Sequence, residues 1–279
     1  MKFGTIVKHD VTKLVVELEN QIVDIVETAK MNKWNEVFSD VMEVIELEAS
    51  RLKDFEAKLK EAVKNESLFV IENSDVVWGP CVTKPHKIIC VGLNYRKHAD
   101  ETKAPYPEVP ILFNKFDNTL TGHLSDIAIP AVTNALDYEV ELGIVMGKKT
   151  KNITQEEALS HVFGYCTVND LSARDLQMRT HQWLLGKSCD GFSPVGPYLV
   201  TSDEVGDPNN LDLKTYVNNE LRQNSNTSDM IFSCAEIVSY ISKHMTLEPG
   251  DLILTGTPEG VVFGLPEDQR VYIQDGDVV

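Results

Sequence analysis

Hydrophobic and polar positions divide the chain into two textures. Over residues 1–80 charge is dense and glycine scarce. Apolar runs at 14–18 and 22–25 flank Glu19-Asn20 and predict two short strands joined in a hairpin. Val37, Val41 and Ile45 then recur at helical spacing, as do Leu52, Phe55 and Leu59. The pattern predicts a small α+β unit that closes near Pro80. From Pro85 onward, short β-rich runs alternate with turns of Gly, Pro, Asn and Asp. Residues 88–91, 111–113, 138–145, 162–168, 198–200, 213–217 and 252–254 read as strands, and 155–161 and 234–244 as helices. Thr154 with Glu157 is a capping-box signal for the first of these helices. The second region is therefore strand-dominated, without a regular βαβ repeat, and the chain as a whole reads as α+β. Near the end, 271–273 and 278–279 flank an Asp-Gly turn. This predicts a new strand beginning there and a catalytic region that continues beyond Val279.

Composition narrows the functional classes. The chain has 279 residues, of which 42% are hydrophobic, enough for a sizeable core. No apolar run reaches the roughly 18 residues of a membrane span, and the first residues lack the apolar stretch of a signal peptide. A cytoplasmic protein is expected. The net charge of −17 argues against nucleic acid and against an anionic membrane surface as partners. It leaves room for a small anionic substrate, because a bound cation reverses the local field. Cys81, Cys90, Cys166, Cys189 and Cys234 show no zinc or redox spacing and read as reduced thiols.

Candidate chemistry centres on carboxylates. Alternation along a strand puts Asp137, Glu139 and Glu141 on one face, with Tyr138, Val140 and Leu142 on the other. Like charges so close repel unless a cation lies between them, and an all-oxygen set suits Mg²⁺, Mn²⁺ or Ca²⁺. The alternative is a solvated acidic face. Asp170 ends the 162–168 strand, where it either reaches the same cation or caps a helix over 171–177. His98 and Glu101 share a helical face, as an oriented general base or as ordinary surface charges. Lys115 and Lys187 are either solvated lysines or partners for a carboxylate or enolate oxygen. The turn Thr255-Gly256-Thr257-Pro258-Glu259-Gly260 offers amides and hydroxyls to a substrate carboxylate.

The order of these pieces is more specific than any one of them. Gly92-Leu-Asn-Tyr95, His98 and Glu101, then Lys115, then Asp137-Tyr-Glu139-Val-Glu141, then Val168-Asn-Asp170-Leu-Ser-Ala-Arg174-Asp175-Leu-Gln177, then Gly186-Lys187-Ser188 and Thr255 to Gly260 resemble the fumarylacetoacetate hydrolase family. The resemblance covers about residues 85–279. Residues 1–80 resemble the variable N-terminal domain of some bacterial members. The resemblance implies a mixed β-sandwich roll, usually a homodimer, with Mg²⁺ or Mn²⁺ held by Glu139, Glu141 and Asp170. It implies a water-activating dyad of His98 and Glu101, and substrate contacts from Lys187, Gln177 and Thr257, with Lys115 and Gly256 alongside. Arg174 reads as structural. Phe116 after Lys115, and Asn218-Asn219 in place of an Asn-Gly turn, depart from the family pattern.

What the resemblance implies about activity is metal-dependent cleavage of a carbon–carbon bond in a small 2-oxo acid. The leading expectation is hydrolysis of a 2,4-dioxo acid, of acylpyruvate or fumarylpyruvate type, to pyruvate and a carboxylic acid. Decarboxylation of an oxaloacetate-like acid shares the same enolate and is the alternative. Isomerisation or dehydration of a sugar-derived oxo acid is another. A non-catalytic binding protein is the reading from a different class, and no loss of a ligand or of the dyad favours it.

Overall fold

The structure, a computed structural model, describes residues 1–8 and 11–279. Strand β1 (Lys2–Lys8) pairs with β2 (Val11–Leu18), which turns into β3 (Gln21–Asp24). Glu19 and Asn20 both take positive φ, 50° and 63°, as a two-residue hairpin turn requires. The hairpin thus forms where the pattern put it, but Ile25 opens helix α1 (Ile25–Met31) instead of ending a strand. Asp24 caps that helix by accepting the Glu27 N–H. The helix expected from Val37 onward begins only at α2 (Val41–Ile45). Asp40 and Glu43 close a capping box there, and Val37 stays outside, exposed. Helix α3 (Ala49–Lys64) buries Phe55, Leu59 and Ala62.

Then follow β4 (Val70–Ile71), β5 (Ile88–Gly92), α4 (Arg96–Glu101), β6 (Ile111–Lys115), β7 (Leu120–Thr121), β8 (Leu136–Asp137), β9 (Val140–Met146), α5 (Gln155–Ala158), β10 (Val162–Asn169), β11 (Ser172–Ala173), α6 (Arg174–Gln177), α7 (Leu184–Lys187), β12 (Ser193–Pro194), β13 (Tyr198–Thr201), α8 (Ser202–Val205), β14 (Asp212–Val217), β15 (Glu220–Asn226), α9 (Cys234–His244) and β16 (Leu252–Leu254). Thr154 and Glu157 form the expected capping box, and α5 passes into a 3₁₀ turn at Leu159–His161.

Ten strands make one mixed sheet in the order β4-β3-β2-β1-β13-β10-β9-β16-β5-β6. The α+β class holds. Strands of the first 80 residues continue this sheet, since β1 runs antiparallel to β13. Phe3, Val41, Phe55 and Leu59 share a core with Val145, Phe163, Leu199 and Leu252 on one face. On the other face Ile144, Val91 and Ile253 pack with Ile237, Val238 and Ile241 of α9. Burial on both faces explains why the central strands read as unbroken apolar runs.

Residues 271–279 do not form the expected strand pair. The Ile273 N–H donates to the Leu136 carbonyl, and Val278 exchanges hydrogen bonds with Asn218 at the β14–β15 turn. The flanks bond to β8 and to that turn, while within the segment the Asp277 N–H donates to the Gln274 carbonyl across the Asp-Gly turn.

Candidate active site

The acidic strand is broken where a continuous one was expected. Strand β8 ends at Asp137 and β9 starts at Val140. Between them the ladder gives way to side chains: the Glu139 N–H donates to Asn169 Oδ1 at 3.0 Å. This kink separates Asp137 from the other two carboxylates, correcting the single-face reading. Asp137 accepts from Arg174 Nε at 2.8 Å and from the Val262 and Phe263 N–H groups at 2.9 Å each. Asp170 takes its place. It follows β10, antiparallel to β9, and its N–H donates to the Glu139 carbonyl at 2.8 Å. One oxygen from each of Glu139, Glu141 and Asp170 lies within 4.8 Å of the others, and all three are buried. Neither the solvated acidic face nor the helix cap at Asp170 survives, since α6 starts only after Ala173.

Basic side chains close around the triad. Lys187 Nζ donates to Glu139 Oε2 and Asp170 Oδ2, both at 2.7 Å. Lys115 Nζ bonds the other Asp170 oxygen and the Phe192 carbonyl. Arg174 Nη1 meets Glu139 Oε1 at 2.7 Å and Gln177 Oε1 at 3.0 Å. Both lysines are 2% exposed, which removes the solvated-lysine reading. Arg174 therefore orients a proposed ligand as well as bracing the fold.

Neighbouring carboxylates feel opposite fields. Burial alone would raise Glu139, but Lys187 and Arg174 outweigh it and hold its carboxyl at about 2. Burial raises Glu141, and Asp170 and Glu139 raise it further, with only weak relief from Lys187 and the Gly256 N–H. Lys187 resists the lowering effect of burial because Asp170 and Glu139 hold it protonated. Asp137, Glu139 and Asp170 are ion-paired to Arg174, Lys187 or Lys115, whereas among the described residues Glu141 has no cationic partner. An all-oxygen anionic set short of positive charge fits a hard divalent cation.

The dyad stands beside this cluster. After β5 the chain reverses through Leu93, at φ 53°, into α4. Buried Asn94 holds the turn: its amide nitrogen donates to the Thr255 and Phe232 carbonyls, and its oxygen accepts the Phe232 N–H. Asn94 lies within the Gly92-Leu-Asn-Tyr95 motif, but local sequence gave no sign of this role, because its partners are distant in the chain. His98 Nδ1 then lies 2.7 Å from Glu101 Oε1, and Glu101 Oε2 accepts the Gly260 N–H at 3.0 Å. Among the described residues Nε2 has no hydrogen-bond partner. His98 is buried, unlike a residue of a surface helix.

The 255–260 turn bonds directly to the acidic strand. The Gly256 N–H donates to Glu141 Oε2 at 2.7 Å, and the Thr257 hydroxyl donates to the Val140 carbonyl at 3.0 Å. Gly256 has φ 100°, and a Cβ there would lie 2.8 Å from the Asn94 Cβ, so only glycine fits. Cys189, weighed in the sequence as a thiol, is raised by burial and is no activated nucleophile.

The family model for the C-terminal domain of fumarylacetoacetate (FAA) hydrolase matches residues 87–279. The mitochondrial oxaloacetate tautomerase of Xenopus laevis is 46% identical over 213 residues, covering 75% of this chain and 66% of that protein. The chain thus spans about two thirds of the length of such curated relatives. Fumarylacetoacetate hydrolase from Exiguobacterium antarcticum superposes with a TM-score of 0.82 at 35% identity, covering 99% of this chain and 93% of that one. Maleylpyruvate hydrolase from Sphingobium sp. SYK-6, solved with manganese(II) and pyruvate, gives 0.77 at 30% identity, covering 99% and 92%. The likeness extends to animal proteins and is not confined to bacterial members.

Proposed function

This chain belongs to the fumarylacetoacetate hydrolase family, and we propose that within it the chain interconverts the keto and enol forms of a small 2-oxo acid of oxaloacetate type. The observation that carries this reading is the His98–Glu101 pair, 2.7 Å apart, beside three converging buried carboxylates. The name of the Xenopus relative supports the substrate class.

Glu139, Glu141 and Asp170 would hold a divalent cation, Mg²⁺ or Mn²⁺. When bound, the cation supplies Lewis-acid stabilisation for negative charge on the C2 oxygen. The protein moves the proton. Glu101, fixed by the Gly260 N–H, orients the His98 ring, so that Nε2 in the neutral form is free to take a proton from C3. The C3–H electron pair becomes the C2–C3 double bond, and the carbonyl π pair moves to the C2 oxygen. That oxygen then receives the proton carried by His98. Lys187, kept protonated by its two carboxylate partners, adds positive charge to that oxygen without becoming the acid.

Hydrolysis of a 2,4-dioxo acid is the second reading, favoured by the likeness to a maleylpyruvate hydrolase solved with manganese(II) and pyruvate. There the same dyad takes its proton from water. The test follows enol-oxaloacetate by its ultraviolet absorbance with Mg²⁺, Mn²⁺ or EDTA, and assays pyruvate in parallel. Metal-dependent enol loss without pyruvate supports the tautomerase. Pyruvate from acetylpyruvate, with no effect on the oxaloacetate enol, would transfer the assignment to hydrolysis. Pyruvate from oxaloacetate would report decarboxylation.

A further inference from the structure

The hairpin β14–β15 lies outside the ten-stranded sheet, yet one of its side chains sits behind the site. Gln223 is 1% exposed. Its Oε1 accepts the Val140 N–H at 2.9 Å and the Thr215 hydroxyl at 2.8 Å. Its Nε2 donates to the Thr257 hydroxyl and the Pro258 carbonyl, each at 2.9 Å. Acceptor and donors of the carboxamide are all engaged, as burial demands. Val140 is the residue between Glu139 and Glu141, and Thr257 closes the circuit by donating back to the Val140 carbonyl.

The preceding residue extends the brace toward the dyad. Arg222 Nε donates to the Tyr138 hydroxyl at 3.1 Å, and that hydroxyl donates to the Gly260 carbonyl at 3.0 Å. Gly260 is the residue whose N–H holds Glu101. A Cβ at Gly260 would lie 2.2 Å from the Arg222 carbonyl oxygen, so the two backbones are in direct contact.

We propose that Gln223 is a positioning residue that sets the spacing of Glu139 and Glu141 by fixing Val140 against the 257–260 turn. The side-chain type follows from the partners. A backbone N–H on one side needs an acceptor, and a hydroxyl and a carbonyl on the other need donors. An amide supplies both without adding charge to an acidic site. This inference rests on the cation site of the proposed function but not on the identity of the substrate.

The test is Mn²⁺ binding to the full chain by isothermal titration, without substrate, alongside the melting temperature in EDTA. Gln223→Met keeps the length and removes the amide, and it is expected to bind Mn²⁺ about tenfold or more weakly. Thr215→Val removes one neighbour of the amide and leaves the Val140 contact, and it is expected to bind within twofold of wild type. A purely structural Gln223 would shift the EDTA melting temperature and leave Mn²⁺ affinity within twofold, which overturns the proposal. If the Met variant does not fold, Gln223→Glu replaces it. It retains the acceptor toward Val140, loses the donors, and unchanged affinity there overturns the proposal equally. No Mn²⁺ binding by wild type would sink both this inference and the cation site, whereas binding without turnover would count against the substrate reading alone.

Discussion

Lys187 lies 2.7 Å from both Glu139 and Asp170, so it neutralises the carboxylates that a cation would also claim. Its two roles separate on substitution. Lys187→Met is predicted to bind Mn²⁺ at least as tightly as wild type, because a competing charge is gone. Turnover should fall by about 10²–10³-fold, the usual loss when one donor to developing oxyanion charge is removed. Titration and steady-state kinetics on one preparation check this, and weaker metal binding would contradict it. At this scale the sequence supplied the candidates but not their states. Lys187, Lys115 and His98 each had a solvated alternative, because burial depends on where β6, α4 and α7 pack in the fold, which no local spacing records. Spacing left Glu139, Glu141 and Asp170 open; the order of the motifs grouped them, and the structure brings one oxygen of each within 4.8 Å of the others. The roles of Asn94 and Gln223 escaped because partners lie 161 and 83 residues away.

Elements governed by local chemistry were legible. The Asn218-Asn219 turn takes φ of 50° and 68° as a β-hairpin needs, despite departing from the Asn-Gly pattern. The helix at 234–244 matches α9 residue for residue. Ser233 accepts the Glu236 N–H and Glu236 caps in return, a box that Ser233→Ala would open. That variant is predicted to lose about 1 kcal/mol of stability. A chemical-denaturation midpoint should fall while Mn²⁺ affinity stays put, since α9 packs on the sheet face of Ile144. The break at Tyr138-Glu139 was illegible: period-two alternation assumes an unbroken ladder, and here Asn169 and Gln223 side chains replace it. The C-terminal segment misled for a related reason. Its Asp-Gly turn forms, but its flanks bond to β8 and to Asn218.

For the whole molecule, the sequence showed a change of texture at residues 80–85 where the structure has a continuous sheet. Lys2, Phe3 and Gly4 register against Val200, Leu199 and Tyr198, and Phe3 lies in the same core as Leu199 and Phe163. Removing residues 1–80 would expose the β13 edge and half of that core. The remainder is predicted to aggregate or to lack a cooperative unfolding transition, as calorimetry would read. A well-folded 81–279 fragment would show instead that the segments are independent. The charge of −17 is likewise a whole-molecule quantity that says little about the site, where three buried cations gather within an acidic chain.

The most direct test of the central claim follows deuterium from solvent into C3 of oxaloacetate by NMR, with Mg²⁺, for wild type and His98→Asn. The account predicts exchange well above the uncatalysed rate in wild type and a return toward that rate in the variant. Undiminished exchange in His98→Asn would contradict the proton transfer assigned to the His98–Glu101 pair.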